Sequence, residues 1–527
     1  MKRRDFLRGL AMAPAVPSAL SLGLLAERAQ AAGLNYDAVD FTAPTVLPQV
    51  INIFLYGGAS ELSGNMTNIE DINYHSMNPY TAAFGSGILQ ARSLDDDSNP
   101  ANGGNAQLTP YGFWAGAGGL YMEDLIRSND MSVYRTIHKL KNQTRSHREA
   151  IFINQKGALN VDNSAGLGTR LALMLHTHRN AMGSCQLADG RTVGQFDDGL
   201  HGLPLPFVSF EGQTTAFARD PGLSTPIPLR EMSLNDNFDN PYTRGGGLTG
   251  DATANSQIDD LVTQMQSDEA YARRFQSGVQ GFAARSTMAG LVGDLSSARD
   301  ATLPAVEPDD PDGDADDRLS YPNTRFARQV RAAVTLAIEN PSSLYISVGT
   351  PGLGGWDDHN NAIDRYRNRM MQLFHALRVA MKHIRLSDQG SAAGQTPGGM
   401  VRRTDNIIIN VWGDFGRLVN LNNSMGWDHA NNQNLFTLGG EGVRPGGADT
   451  LGKVVGKTHR VGRTGVNNQY TEPTDDSYQT EPMSIASSIY HYFGAQNPER
   501  ITADPDYNPQ GDVKLDESVE GIDPPFS

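Results

Sequence analysis

Six short apolar runs recur along the chain, at 50–56 (VINIFLY), 132–137, 206–210, 343–348, 406–412 and 434–438, and most of them end beside Gly or Asp. Long stretches of helical period separate some of them. Residues 360–386 place Ile363, Tyr366, Met370, Leu373, Phe374, Leu377, Met381 and Ile384 at three- and four-residue steps, which makes one apolar helix face. Residues 322–339 and 256–297 also read as helices. Apolar strands alternating with helices predict an α/β fold, doubly wound, with a mostly parallel sheet covered on both faces. In such a sheet ligands bind beyond the C-terminal strand ends, so chemistry is expected in the residues that follow each strand.

The chain can build the core that this fold needs. Apolar residues other than Gly make up 39% of 527, which excludes disorder of the whole chain. No collagen, coiled-coil or low-complexity period is present. With 56 Gly and 28 Pro, loops are plentiful. Segments 94–105, 235–255 and 307–318 read as insertions into one domain spanning 32–527. The last of them, EPDDPDGDADDR, has Gly313 at the wrong place for an EF-hand loop and lacks its terminal Glu, so it reads as solvated linker, with a calcium site as the alternative. A net charge of −16 argues against a nucleic-acid or anionic-membrane partner. The single Cys185 excludes an intrachain disulfide and any zinc or iron–sulfur site built on thiolates.

The N-terminus reads as an address. Lys2-Arg3-Arg4-Asp5-Phe6-Leu7-Arg8 has the form of a twin-arginine export signal. An apolar stretch from Gly9 to Leu25, broken by Pro14 and Pro17, is too short and interrupted for a comfortable transmembrane helix. Ala29-Gln30-Ala31 then fits a cleavage site, which makes 1–31 a signal peptide. Its removal takes away five bases and two acids and leaves a still more acidic chain. No later apolar run is long enough to span a membrane, so the expected partner is the twin-arginine machinery and the expected location is periplasmic or secreted.

Several familiar motifs break down. Residues 447–453 have phosphate-loop spacing, but Val454 stands where Ser or Thr would hold Mg²⁺. No Gly-x-Ser-x-Gly elbow is present, and no Gly-x-Gly-x-x-Gly follows a strand. His176 and His178, two residues apart in a helical stretch, point to different faces and read as packing or surface histidines.

Two clusters do hold. Gly354-Gly355-Trp356-Asp357-Asp358-His359 follows the run at 343–348. Asp414-Phe415-Gly416-Arg417 and then Gly426-Trp427-Asp428-His429 follow the run at 406–412. Carboxylate and imidazole are the ligands a zinc or manganese ion takes when thiolate is lacking. Arg417 could grip a tetrahedral anion. The plainer alternative is that these residues cap helices and stitch loops, with Asp357 or Asp358 capping the helix that begins near Asn360.

These motifs, with the following Leu438-Gly439-Gly440 and GKVVGKT at 452–458, resemble an uncharacterised family of twin-arginine-exported proteins in the alkaline phosphatase/sulfatase-like superfamily. Gly57-Gly58-Ala59-Ser60 is similar to the Gly-Gly-x-Ser that ends the family's first strand. The resemblance implies a doubly wound sheet and a metal centre, typically of two zinc ions, with a Ser, Thr or formylglycine nucleophile attacking phosphate or sulfate. Carried over, Asp357 and His359 would bind one metal, Asp414 would be the acid of the later strand end, and His429 with Asp428 would supply the last ligands. If Arg148 matches the arginine of the sulfatase nucleophile region, Thr144 takes the nucleophile position, with Ser146 and His147 as close alternatives. Arg148 or Arg417 would hold the anion. The sequence departs from the active pattern at Gly57-Gly58, where the first-strand Asp is missing, and at Phe415, where many relatives continue an Asp-His pair. The expected activity is metal-dependent hydrolysis of a phosphate or sulfate ester. The alternative is a non-catalytic exported binding or assembly protein with a degenerate site.

Overall fold

The computed structural model describes residues 36–60, 113–159, 164–219, 231–239, 276–303, 319–388 apart from 352, 402–418, 422–461, 470–502 and 510–516, with a few positions between 253 and 264. Residues 1–31, expected to be an export signal, the segments 94–105 and 307–318, and most of 235–255 lie outside the described residues.

Five of the six apolar runs become strands buried along their whole length: β1 (Gln49–Leu55), β2 (Met131–His138), β5 (Tyr345–Val348), β6 (Ile407–Gly413) and β9 (Asn432–Gly439). The sixth is β3 (Phe207–Ser209), which pairs in parallel with the short β4 (Glu231–Ser233). With β10 (Val454–Val455) they form an eight-stranded sheet in the order β10-β2-β9-β6-β1-β5-β3-β4. β7 (Gly416–Arg417) and β8 (His429–Ala430) make a small antiparallel pair beside it, and β11 (Thr458–Val461) and β12 (Tyr470–Pro473) make another.

Seven strands of the large sheet share one direction; β9 alone runs against its neighbours β2 and β6. The sheet is therefore mixed, though mostly parallel. The reversal matters for the site. Because β9 is antiparallel, its N-terminal end lies at the same sheet edge as the C-terminal ends of β1, β2, β5 and β6. Residues 425–429 reach that edge by preceding a reversed strand.

Side chains of a strand alternate between faces, and both faces here are covered. Ile51, Ile53 and Leu55 of β1 join one apolar cluster with α1 (Gly119–Arg127) and three long helices. After α2 (His147–Lys156) and α3 (Leu167–Thr177), these are α4 (Gln276–Asp300), α5 (Arg325–Glu339) and α6 (Ile363–Ser387). Val50 and Phe54 point the other way, into a cluster with α3 and α7 (Met483–Tyr492). All eight apolar positions of the 360–386 period are buried on α6. Thr324 caps α5, its hydroxyl accepting from the Ala327 amide at 3.1 Å. No helix among the described residues is long and apolar enough to cross a membrane.

Candidate metal centre

Five chain segments meet at that sheet edge. The β1 turn at Gly57-Gly58 sits at their middle, and it demands glycine. Gly57 has φ +111°, and a Cβ there would stand 2.6 Å from the Asp357 amide nitrogen; Gly58 has φ +71°, and its Cβ would strike the Phe415 ring. The loops after β5 and before β9 are joined by backbone: the Trp427 amide donates to Asp358 at 2.8 Å and the Ala362 amide to Met425 at 2.9 Å. Gly426 permits this, since a Cβ would stand 2.2 Å from the carbonyl carbon of His359. The two tryptophans of the motifs are anchors. Trp356 and Trp427 are fully buried, and both pack against Tyr366 of α6. Burying such indoles fixes the neighbouring Asp and His in place.

On this frame, His147, Asp357, His359 and His429 bring one ligand atom each within 4.8 Å of one another. Asp357 Oδ1 lies 3.1 Å from His147 Nε2, 3.0 Å from His359 Nε2 and 3.5 Å from His429 Nε2. The last two Nε2 atoms are 2.8 Å apart. Metal–ligand distances near 2.0–2.1 Å in a tetrahedron separate the ligand atoms by about 3.3 Å, and these four separations lie around that value.

The proton positions support the same fit. Each ring is held from behind at Nδ1: His147 by Asp414 Oδ2 at 2.7 Å, His359 by Asp428 Oδ1 at 3.0 Å, and His429 by the Arg145 carbonyl at 2.7 Å. These partners only accept, so each Nδ1 carries the hydrogen and a neutral ring turns its Nε2 lone pair inward. His147 Nε2 is buried and stands 3.1 Å from Asp357 Oδ1. Four acceptors facing one point repel unless a cation or protons lie between them; Arg417 meets two of them, donating to Asp357 Oδ1 at 2.8 Å and standing 3.4 Å from His359 Nε2. A His and carboxylate group here could hold a metal ion, and among the described residues it is the only such cluster.

Electrostatics follow the geometry. The hydrogen bond that His147 donates to Asp414 raises the His147 pKa above its ordinary value. Burial, with the cation of Arg417, lowers that of His429. Burial opposes ionisation of Asp357, but Arg417 overrides it, helped by His147 and His359, and holds this carboxyl well below the usual range.

The remaining expected residues stand one step back. Asp414 has no exposure, and its other oxygen accepts from the Gly57 amide at 3.0 Å. Asp428 also accepts from Asn422 at 3.1 Å. Both carboxylates thus orient histidines. Asp358 is buried against Arg369 and Arg365 and caps nothing. Arg417, fully buried, is consumed: it donates to the carbonyls of Gly57, Gly58, Trp356 and Trp427 and to Asp357 at 2.8 Å, which leaves it no free fork for an anion. Thr144 donates to Glu149 at 2.7 Å and accepts from the Ser146 amide at 3.2 Å, a turn at the start of α2. Arg148 is exposed, over the ring of Phe152. Phe415 packs its ring against His147 and His429, beneath the buried Lys139.

His147 joins the cluster as a candidate ligand, a role that sequence reasoning did not give it. The usable signal was its position: a histidine between a buried strand and a helix, at the same edge as the two Asp-His loops. His176 is buried and pairs with His201 at 2.9 Å, while His178 stacks on Phe41. No protein-family model and no curated protein matches the chain.

Proposed function

We propose that this chain is an exported protein of the alkaline phosphatase/sulfatase-like type that holds one divalent metal ion, zinc by preference, and hydrolyses a phosphate or sulfate ester. The observation that carries the reading is the inward turn of three Nε2 lone pairs onto Asp357, each ring fixed from behind. His147, Asp357, His359 and His429 would hold the ion, a donor set of imidazole and carboxylate that suits zinc or manganese. When bound, such an ion supplies Lewis-acid polarisation of the ester and a strong nucleophile at neutral pH.

The chain's own residues do the rest. Asp414, Asp428 and the Arg145 carbonyl keep hydrogens on the Nδ1 atoms, so the Nε2 atoms stay available. Arg417 keeps Asp357 ionised and pins the Gly57-Gly58 turn under it. Phe415 in place of a further ligand favours one ion over two. The export part of the reading stems from Arg3 and Arg4 and the apolar run behind them.

A second reading, a non-catalytic binding or assembly protein on the same fold, is favoured by the engagement of both Thr144 and Arg417 within the fold. Metal analysis of the protein lacking residues 1–31, together with turnover of 4-nitrophenyl phosphate and sulfate, divides the two. The first reading expects about one equivalent of zinc and a turnover that His359→Ala abolishes along with the metal. Thr144→Ala that stops turnover while keeping the metal assigns the attack to Thr144; undiminished turnover assigns it to water. Bound metal without turnover supports the second reading. A protein that takes up no metal and turns over neither ester overturns the first.

A further inference from the structure

The segment that delivers His147 carries charge of its own. Between positions 139 and 148 stand Lys139, Lys141, Arg145, His147 and Arg148, with no acid among them, in a chain of net charge −16. Lys139 is buried, and its ammonium reaches the Thr144 carbonyl at 3.4 Å. Arg145 and Arg148 are exposed. The next acid, Glu149, is bonded to Thr144 at 2.7 Å and Asn142 at 3.3 Å.

Arg145 and Arg148 differ from the other arginines around the centre. Arg417 spends its donors on backbone carbonyls and Asp357, and Arg365 and Arg369 are bonded to Asp358. Among the described residues, neither the Arg145 nor the Arg148 guanidinium donates to any acceptor; Arg148 lies over Phe152 at 5.8 Å, a contact that orients it and leaves its N–H groups unspent. Both belong to the segment that delivers His147. Arg148 follows His147 directly, and the Arg145 carbonyl holds His429 Nδ1 at 2.7 Å. The centre itself opens to solvent, with the side chains of Asp357 and His359 half and two-fifths exposed. Unspent guanidiniums at an open, metal-fitting centre attract anions from a distance and grip carboxylate, phosphate or sulfate through paired N–H groups.

We propose that the preferred substrate carries two separate negative groups: the ester that meets the centre, and a second anion on its leaving group that Arg145 and Arg148 hold. The proposal rests on the ester reading above. Calorimetric titration of the zinc-loaded protein with phenyl phosphate and with 4-carboxyphenyl phosphate, at low salt, tests it without requiring turnover. The carboxylated ester should bind about tenfold more tightly, as expected for one added charge-assisted contact. In Arg145→Gln/Arg148→Gln that preference should shrink to about twofold or less, with metal content and circular dichroism unchanged. Rescue of part of the preference by Arg145→Lys/Arg148→Lys would support a charge contact over a structural one. Equal affinity of the two esters for the wild-type protein, or a preference that survives the Gln pair, overturns the proposal and leaves the ester reading standing. If the zinc-loaded protein binds neither ester, both fall together.

Discussion

The Nδ1 of His176 and the Nε2 of His201 lie 2.9 Å apart, close to the 2.8 Å between the Nε2 atoms of His359 and His429, yet the two pairs are built differently. At the sheet edge, an acceptor stands behind every ring and a carboxylate in front. Between His176 and His201, one ring must donate to the other, and among the described residues no carboxylate hydrogen-bonds to either. Burial, with Arg179 nearby, pushes His176 down to about 4, and burial lowers His201 as well. At the centre the Asp414 carboxylate pushes His147 the other way. Histidines in contact do not by themselves make a ligand set. The acceptors behind them and the anion before them do, since together they leave lone pairs facing a point that a cation or protons must satisfy.

The largest effect is expected where a candidate ligand is removed. His147→Ala and His359→Ala should each reduce bound zinc to background after gel filtration, whereas His176→Ala should leave it unchanged; zinc retained in His147→Ala would remove that residue from the set. A smaller effect is expected one step back. Asp414→Asn and Asp428→Asn keep the shape but remove the anionic acceptor, and each should weaken zinc by ~10–100-fold in a chelator competition. An unchanged affinity in both would show that the carboxylates do not orient the rings. The smallest effect belongs to the other pair. The unfolded His176 takes up a proton near its ordinary pKa, while the folded one resists until about pH 4. Stability is therefore complete above the unfolded value and declines as pH falls, by about 1–2 kcal/mol between pH 7 and pH 5. His176→Gln should flatten the dependence of the urea midpoint over that window, and an unaltered slope would contradict the assignment.

Much of this was legible because strands and helices announce themselves locally. Residues 50–56, 132–137 and 406–412 read as strands, and β1, β2 and β6 formed within a residue or two of those limits. The 360–386 period produced α6 with its whole apolar face buried. Asp357, His359 and His429 were legible as candidates because they carry metal-ligating groups in loops flanking strands. The standing of Asp414 and Asp428 was not legible, because adjacency in sequence does not say which oxygen meets which nitrogen. Arg417 offered no hint that Gly57, Gly58, Trp356 and Trp427 would take up its donors; those carbonyls come from three segments, two of them distant in sequence.

By itself the sequence determined the alternation of strand and helix, the apolar faces and the supply of imidazole and carboxylate near strand ends, since each depends on side-chain chemistry and short-range period. The tertiary structure alone decided that β9 runs against the sheet and so returns His429 to the edge where Asp357 and His359 stand. It alone placed His147 opposite Asp357, across more than two hundred residues of chain. The physical reason is that a ligand set is a meeting of directions: each lone pair is aimed by a hydrogen bond to a residue remote in sequence, and only packing fixes those vectors.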